Sequence, residues 1–537
     1  MGVESTAPMP LKSDLANIKR SLALAAALPK FFRERITLRQ AEQEVKRLVD
    51  TRAERFIELA RSQIYERPQS PFRRLLEYAG CDFADLQSHV RGRGLEETLA
   101  KLAEEGVYLT SDEFKGKTDV VRGAKSFRLS PADFERRDSS PGFMIESSGT
   151  RNLPMSTFSP LESQRLHAMG EAVFYAAHDL FPGAHAVYEP IISGRMHFVL
   201  VFGKLGIPVD RWFAFKVGVH GLLEDRYHYL NAHLVARTGR WFGGGIADPE
   251  YLNNGDVGPI LEWMSESQSG GKNCSVKTVV SNAVRIARAA SSRGLSLEGA
   301  RFIVSGEPVT EAKQRLIAKT GARIAPRYGP GGGNGALFGC GRPAVIDEMH
   351  VPEHIFTFVE HPRPLDYGGP PIYPLMLTTL HASAPRFLLN VQNGDYATMT
   401  RRDCGCALEK IGFTRRLHTI RSFEKFTSEG MNYFTADLFE LLENIIPSEF
   451  GGAPGDYQLV EEEDSAGQTR LTLLVHPNVG DLDSEKVLFR LQQALAQGSR
   501  NNRFMTGIWR NAGTLRTRRE PPYASARGKI LPLQIRR

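Results

Sequence analysis

The chain has 537 residues, too many for one ordinary hydrophobic core, so two or more domains are expected. With 41% hydrophobic residues and a formal net charge of +7, its composition is that of a soluble globular protein, and no apolar run is long enough to span a bilayer. The basic residues of 500–537 are scattered among Gly, Pro and Leu, which argues against a nucleic-acid-binding stripe and for a solvated surface beside a small anionic ligand. Five cysteines, an odd number without an export signal, point to a reducing cytoplasm.

Residues 1 to about 140 read as a helical region. The run from Leu22 to Leu28 imitates the apolar part of a signal peptide, but Asp14 precedes it and Pro29-Lys30-Phe31-Phe32-Arg33 continues an amphipathic pattern, so a helix is expected. Leu38 to Val49 places apolar residues at helical spacing, Pro68 to Leu76 forms another helix, and Leu95 to Glu105 a further one closed by Gly106. The apolar pattern weakens between Ser126 and Pro141. Phe143-Met144-Ile145 then leads into Ser147-Ser148-Gly149-Thr150-Arg151-Asn152-Leu153-Pro154. Glycine lets backbone approach closely, free N–H groups can point inward, and hydroxyls donate to the same oxygens, so this loop suits phosphate. By itself such a loop is more often an ordinary turn.

The clearest architecture lies between Ser281 and Tyr328. A helix through Val284 to Arg288 stops near Gly294; Phe302-Ile303-Val304 extends; Thr310 caps a second helix, with Glu311 in its first turn; Gly321 ends it; Arg323-Ile324-Ala325 extends again. Strand, helix, strand predicts a parallel sheet, with ligands beyond the carboxyl ends of its strands. From about Phe423 the pattern becomes a small α+β unit: helix Thr435 to Ile446, strands Tyr457 to Glu462 and Leu471 to Val475, helix Ser484 to Ala496, and an extended Phe504 to Trp509.

Behind the Ser147 loop come Ser305-Gly306-Glu307-Pro308, Tyr328-Gly329, Asn393-Gly394-Asp395, Arg421 with Gly430 and Asn432, and Gly528-Lys529. In that order the motifs resemble the adenylate-forming superfamily, nearest its phenylacetate-CoA ligase-like branch, over roughly residues 68–529. The resemblance implies a large α/β domain, with a helical N-terminal region at 1–140 and an adenylation core at 141–422, plus a small mobile α+β domain at 423–537. It implies ATP-dependent activation of a small carboxylic acid to an acyl-adenylate, then transfer to coenzyme A or another thiol, with ATP, Mg²⁺ and coenzyme A as cofactors. Passing the acyl group to an amine or carrier protein, or a degenerate nucleotide-binding role, are the alternatives. No nucleic acid or membrane partner is expected, and a homodimer is left open.

By the same resemblance Ser147, Ser148, Gly149 and Thr150 hold phosphate, and Lys529 bridges the substrate carboxylate and the α-phosphate. Gly306, Glu307 and Pro308 form one side of an adenine slot and Tyr328 with Gly329 the other; Asp395 takes the ribose hydroxyls with Arg421 as its partner; Glu424 is a hinge carboxylate; Gly430 flanks the thiol channel. Cys404-Gly405-Cys406 reads either as a chelate for a soft cation or as free buried thiols like Cys81 and Cys274; relatives add an upstream Cys and a His to make a structural Zn²⁺ site, which here would be Cys340 and His350. Two departures stand out. Arg151 and Asn152 occupy positions where threonine and glycine are common, so Arg151 can itself contact phosphate; and Gly332 stands where a Mg²⁺-holding acid is usual, leaving Asn334 or Glu348 as substitutes. Phe198, Trp212, Phe213 and Phe215 suggest an apolar or aromatic acid, or are core filler.

Overall fold

A twelve-stranded sheet, counted among the described residues, organises the larger domain. Its parallel half comprises β1 (Ala184–Tyr188), β2 (Arg211–Phe215), β3 (Pro249–Leu252), β4 (Cys274–Val279), β5 (Arg301–Ser305) and β6 (Arg323–Tyr328). The antiparallel half comprises β7 (Leu337–Gly339), β8 (Met349–His350), β9 (Phe356–Glu360), β10 (Pro374–Thr379), β11 (Val391–Arg401) and β12 (Arg415–Ser422). The strand order is β9-β10-β11-β12-β8-β7-β6-β5-β4-β1-β2-β3. This computed structural model describes residues 11–134, 140–146, 156–189, 196–215, 222–253, 255–331, 333–362, 373–422, 427–428, 431–432, 435–463, 469–496, 515–524 and 528–536.

Helix α1 (Val280–Ser292) connects β4 to β5, and α2 (Glu311–Ala318) connects β5 to β6, as the sequence predicts. The Thr310 side chain accepts from the Lys313 amide and so caps α2; Gly321, at φ +87°, follows the helix in a conformation that favours glycine. Strand residues are buried on both faces because alternate side chains enter different cores. Ile303 joins the core built with Phe32, Phe56, Phe72 and Leu99 of the N-terminal helices, while Phe302 and Val304 pack with Ala283, Ile286 and Ala287 of α1. The N-terminal helices are therefore part of the larger domain.

Leu11–Arg33 is one helix, as expected over a signal segment, and no helix among the described residues is long and apolar enough to cross a membrane. The helix expected from Pro68 starts at Pro71, because proline suits the first helical turn, where its missing N–H costs nothing. A short hairpin, Val120–Arg122 with Lys125–Phe127, runs into the start of the stretch read as a weakening pattern.

The smaller domain has its own core of Leu438, Leu442, Ile446, Leu459, Leu473 and Leu491, among others. Its strands β13 (Tyr457–Glu463), β14 (Thr469–Val475), β15 (Leu515–Arg518) and β16 (Leu533–Arg536) lie in the order β15-β14-β13-β16. The helix expected to run unbroken from Thr435 widens into a π-type turn at Leu441–Ile445 and continues to Phe450. β16 pairs parallel to β13 and was not anticipated; the expected extended segment 504–509 lies outside the described residues.

Candidate functional site

Residues 147–155, with Ser147 to Arg151 among them, lie outside the described residues, as do Gly332, Glu424 and Gly430. What flanks the Ser147 loop is clear: strands Gly142–Glu146 and Ser156–Pro160 pair antiparallel, with Glu146 opposite Ser156, so the loop joins the arms of a hairpin. A Cβ on Gly333 would lie 3.0 Å from Ile145 Cδ1, which sets the loop end of this hairpin's first arm against the segment that follows β6.

The carboxyl ends of β5 and β6 bring the predicted nucleotide-site residues together. Tyr328, the last residue of β6, donates its hydroxyl to Asp395 Oδ2 at 2.5 Å and accepts from Asn393 Nδ2 at 2.7 Å. Burial, then the adjacent Asp395 carboxylate, raises the Tyr328 pKa well above its ordinary value, so the phenol keeps its proton and stays a donor. Asn393-Gly394-Asp395 is part of β11, with Gly394 at φ +84° and a register shift just beyond Tyr396. A carboxylate at such an irregularity is re-aimed rather than simply ladder-paired.

Arg421 falls differently. The register sets Tyr396 opposite Arg421 and Asp395 opposite Ser422, so the side chains of Asp395 and Arg421 leave the sheet on opposite faces. The carboxylate beside Arg421 is Asp347, at 3.6 Å, and its guanidinium lies over the Phe439 ring of the smaller domain.

Lys529 reaches this region from far along the chain. A Cβ on Gly306 would lie 2.8 Å from Lys529 Cε and 2.9 Å from its Nζ, so the lysine tip rests on the Gly306 backbone. Gly306 has φ +86°, and glycine is thus favoured twice, by conformation and by space. The lysine loop is docked by the Ile530 amide donating to Ser281 Oγ at 3.2 Å and by Arg285 donating to the Gly528 carbonyl at 3.1 Å. Glu307 accepts from the Ser281 amide at 2.8 Å and hydroxyl at 2.7 Å, satisfying the N-terminus of α1. Its other oxygen is enclosed without a hydrogen-bond partner. Burial raises the Glu307 pKa, opposed by Lys313, the Ser281 bonds and Lys529. Pro308 follows, half-buried, before the Thr310 cap. Ser281, Lys313 and Arg285 carry no motif, and the sequence reading did not single them out.

The cysteine prediction gathers into one cluster. The Sγ atoms of Cys340, Cys404 and Cys406 and a ring nitrogen of His350 lie within 4.8 Å of one another. His350 Nδ1 stands 2.6 Å from the Phe413 carbonyl, which only accepts, so Nδ1 carries the proton and Nε2 presents its lone pair 3.3 Å from Cys406 Sγ and 3.7 Å from Cys404 Sγ. The hydrogen bond from Cys340 and the adjacent His350 hold the Cys406 thiol well below its ordinary range. Arg416 donates to Cys404 Sγ at 3.1 Å, and Glu409 accepts from the Cys404 and Gly405 amides. Cys81 and Cys274 are buried free thiols.

Glu348, considered as a Mg²⁺ ligand, is instead committed here: it pairs with Arg402 at 2.5 Å and accepts from the Ala344 amide at 2.7 Å. Asn334 is buried and neither amide atom has a partner. Trp212 and Phe213 are core residues of β2, while Phe198 faces two cations, Lys277 Nζ at 4.2 Å and Arg327 Cζ at 5.2 Å from its ring centre. Phe215's side chain lies outside what is described.

No family model matches the chain, and no curated protein matches its sequence. Solved structures do share its fold. 2-Hydroxyisobutyryl-CoA ligase in the postadenylation state, in complex with R3-HIB-AMP, superposes with a TM-score of 0.51 at 14% identity over 90% of this chain and 88% of that one. The same ligase with 2-HIB-AMP gives the same values. At this identity the likeness is one of fold: a large α/β domain with a helical region, followed by a smaller α+β domain.

Proposed function

We propose that the protein is an adenylate-forming ligase that activates a small carboxylic acid with ATP and transfers the acyl group to coenzyme A or another thiol. The observation that carries this reading is Lys529 resting on Gly306 at the carboxyl end of β5, in a domain arrangement where the Tyr328–Asp395 pair stands on the neighbouring part of the sheet. In the first step a carboxylate oxygen would attack the α-phosphorus and pyrophosphate would leave. In the second a thiol sulfur would attack the acyl carbon and AMP would leave with both electrons of the broken C–O bond. Two anions must meet in the first step, so a cation is needed where they join. Lys529, with Ser147 to Arg151 on the phosphate side, would supply it. Asp395 would accept from the ribose diol, held by the Tyr328 hydroxyl. Gly306, Glu307 and Pro308 would face Tyr328 and Gly329 across the base, and Gly430 would flank the channel through which the thiol enters.

Magnesium, when bound, would neutralise charge on the triphosphate. Asn334, with an unpartnered buried amide oxygen, would serve as a neutral oxygen donor to it. The Cys340, His350, Cys404, Cys406 cluster supplies three thiols and an imidazole that would hold Zn²⁺ as a structural site.

Acid-dependent ATP–pyrophosphate exchange over a panel of benzoate, phenylacetate, octanoate and 2-hydroxyisobutyrate tests the reading. Exchange with one of them, lost in Lys529→Ala, is the expected result; its absence with every acid would leave only nucleotide binding. Product mass after adding coenzyme A distinguishes a thiol from an amine acceptor.

A further inference from the structure

Four ionisable side chains of alternating sign follow one another along the seam between the two domains. Lys529 rests on Gly306. Glu307, beside it, has its carboxylate enclosed. Lys313, in α2, is 3% exposed, and its Nζ lies 2.6 Å from Glu443 Oε1 in the smaller domain. Glu443 Oε2 accepts from the Thr310 hydroxyl at 2.6 Å, so this carboxylate sits at the positive end of α2, on the residue that caps the helix.

Lys529 and Glu443 come from the smaller domain, Glu307 and Lys313 from the larger. Other polar contacts cross the same seam: Arg288 with Asp456 at 2.7 Å, and Arg315 with Asn444 at 3.1 Å. The two arginine side chains are 38% and 54% exposed, while Asp456, at 3%, is the enclosed partner of Arg288. Of these ion pairs Lys313–Glu443 has both charges enclosed, at 3% and 7% exposure, and a buried ion stripped of its partner is strongly unfavourable. Separation of the domains would strip Lys313 of Glu443 and Glu307 of Lys529 at once. The two charges left in the larger domain are of opposite sign and lie on one loop and the helix it feeds, so each can serve the other.

From this geometry we infer that Glu443 is a positioning residue: through Lys313 and Thr310 it clamps the smaller domain in the arrangement that sets Lys529 on Gly306, and releases it when Glu307 and Lys313 neutralise each other. The consequence for catalysis rests on the adenylation reading above; the clamp itself does not. It favours the step that needs Lys529 and opposes the step that needs the lysine withdrawn.

Glu443→Gln keeps the shape and removes the charge. Hydrogen exchange of the unliganded protein reads the clamp directly: the Ile530 amide, which donates to Ser281, should exchange about tenfold faster in the variant, the size of coupling between charges in contact, with β13 and β14 unchanged. Equal exchange at Ile530, or a uniform rise through β13 and β14, would overturn the clamp. With the acid that supports pyrophosphate exchange in wild type, the variant should lose about tenfold in that exchange while forming thioester from the preformed acyl-adenylate at an undiminished rate. An equal loss in both steps would mean a merely structural role. If the wild type exchanged with no acid of the panel, the adenylation reading would fail, and the Ile530 amide would still decide the clamp.

Discussion

The ammonium of Lys529 lies 2.9 Å from the point a Cβ on Gly306 would occupy, although the two residues come from different domains. Each therefore limits what the other can be. A side chain at 306 would have to displace the lysine tip and adopt a positive φ as well.

Gly306→Ala is expected to lower acid-dependent pyrophosphate exchange about tenfold and to cost about 1 kcal/mol of stability from backbone strain. Exchange kinetics and thermal unfolding measured together separate the two effects. Wild-type exchange rates in a variant with an unchanged lysine would show that the contact plays no part in adenylation.

Tyr328→Phe keeps the ring and removes the hydroxyl that joins Asp395 to Asn393. A hydrogen bond to a charged group contributes about 1.5–3 kcal/mol, so nucleotide affinity should weaken by about tenfold or more. Titration calorimetry with ATP measures it, and an unaltered Kd would detach this pair from the nucleotide site.

Metal analysis of protein purified without chelator should find about one equivalent of zinc, as a four-ligand site requires. Cys406→Ser should lower that content and the melting temperature together, because metal binding adds its free energy to folding. Zinc well below one equivalent in the wild type would leave the four residues as a buried thiol and imidazole cluster.

Glu307 has a pKa raised above the ordinary 4.5 by burial, so the folded chain holds its proton more tightly than the unfolded chain does. Its contribution to stability is present below 4.5 and is lost as pH rises through the raised value. Glu307→Gln removes this dependence. The stability of the variant relative to wild type should thus increase from about pH 4 to about pH 7, as read by urea unfolding at each pH. A difference that does not change with pH would show that Lys313 and Lys529 offset the burial in full.

Much of the larger domain was legible because its signals are local. Thr310 caps α2 three residues from the amide it binds, and Gly321 ends the same helix, so β5-α2-β6 could be read from neighbours alone. The cysteine cluster was legible from a two-residue spacing plus resemblance, and its four members do meet. Arg421 and Glu348 were not legible. Each is a single charged residue whose partner lies on a segment more than fifty residues away, and their partners proved to be Asp347 and Arg402. Trp212 and Phe213 look the same in sequence whether they line a pocket or fill a core, and here they fill it.

The sequence by itself determined the parallel βαβ unit, the division into a large and a small domain, and the residue types that a nucleotide-activating site would need. Periodicity and capping act within a few residues and do not depend on the rest of the chain. Only the tertiary structure decided that Lys529 rests on Gly306, that Tyr328 holds Asp395, and that Glu443 faces Lys313. Such pairings join lone polar side chains far apart in sequence, and no local periodicity marks them. Which charges meet follows from where the sheet and the smaller domain carry them, and burial then decides which of those meetings count.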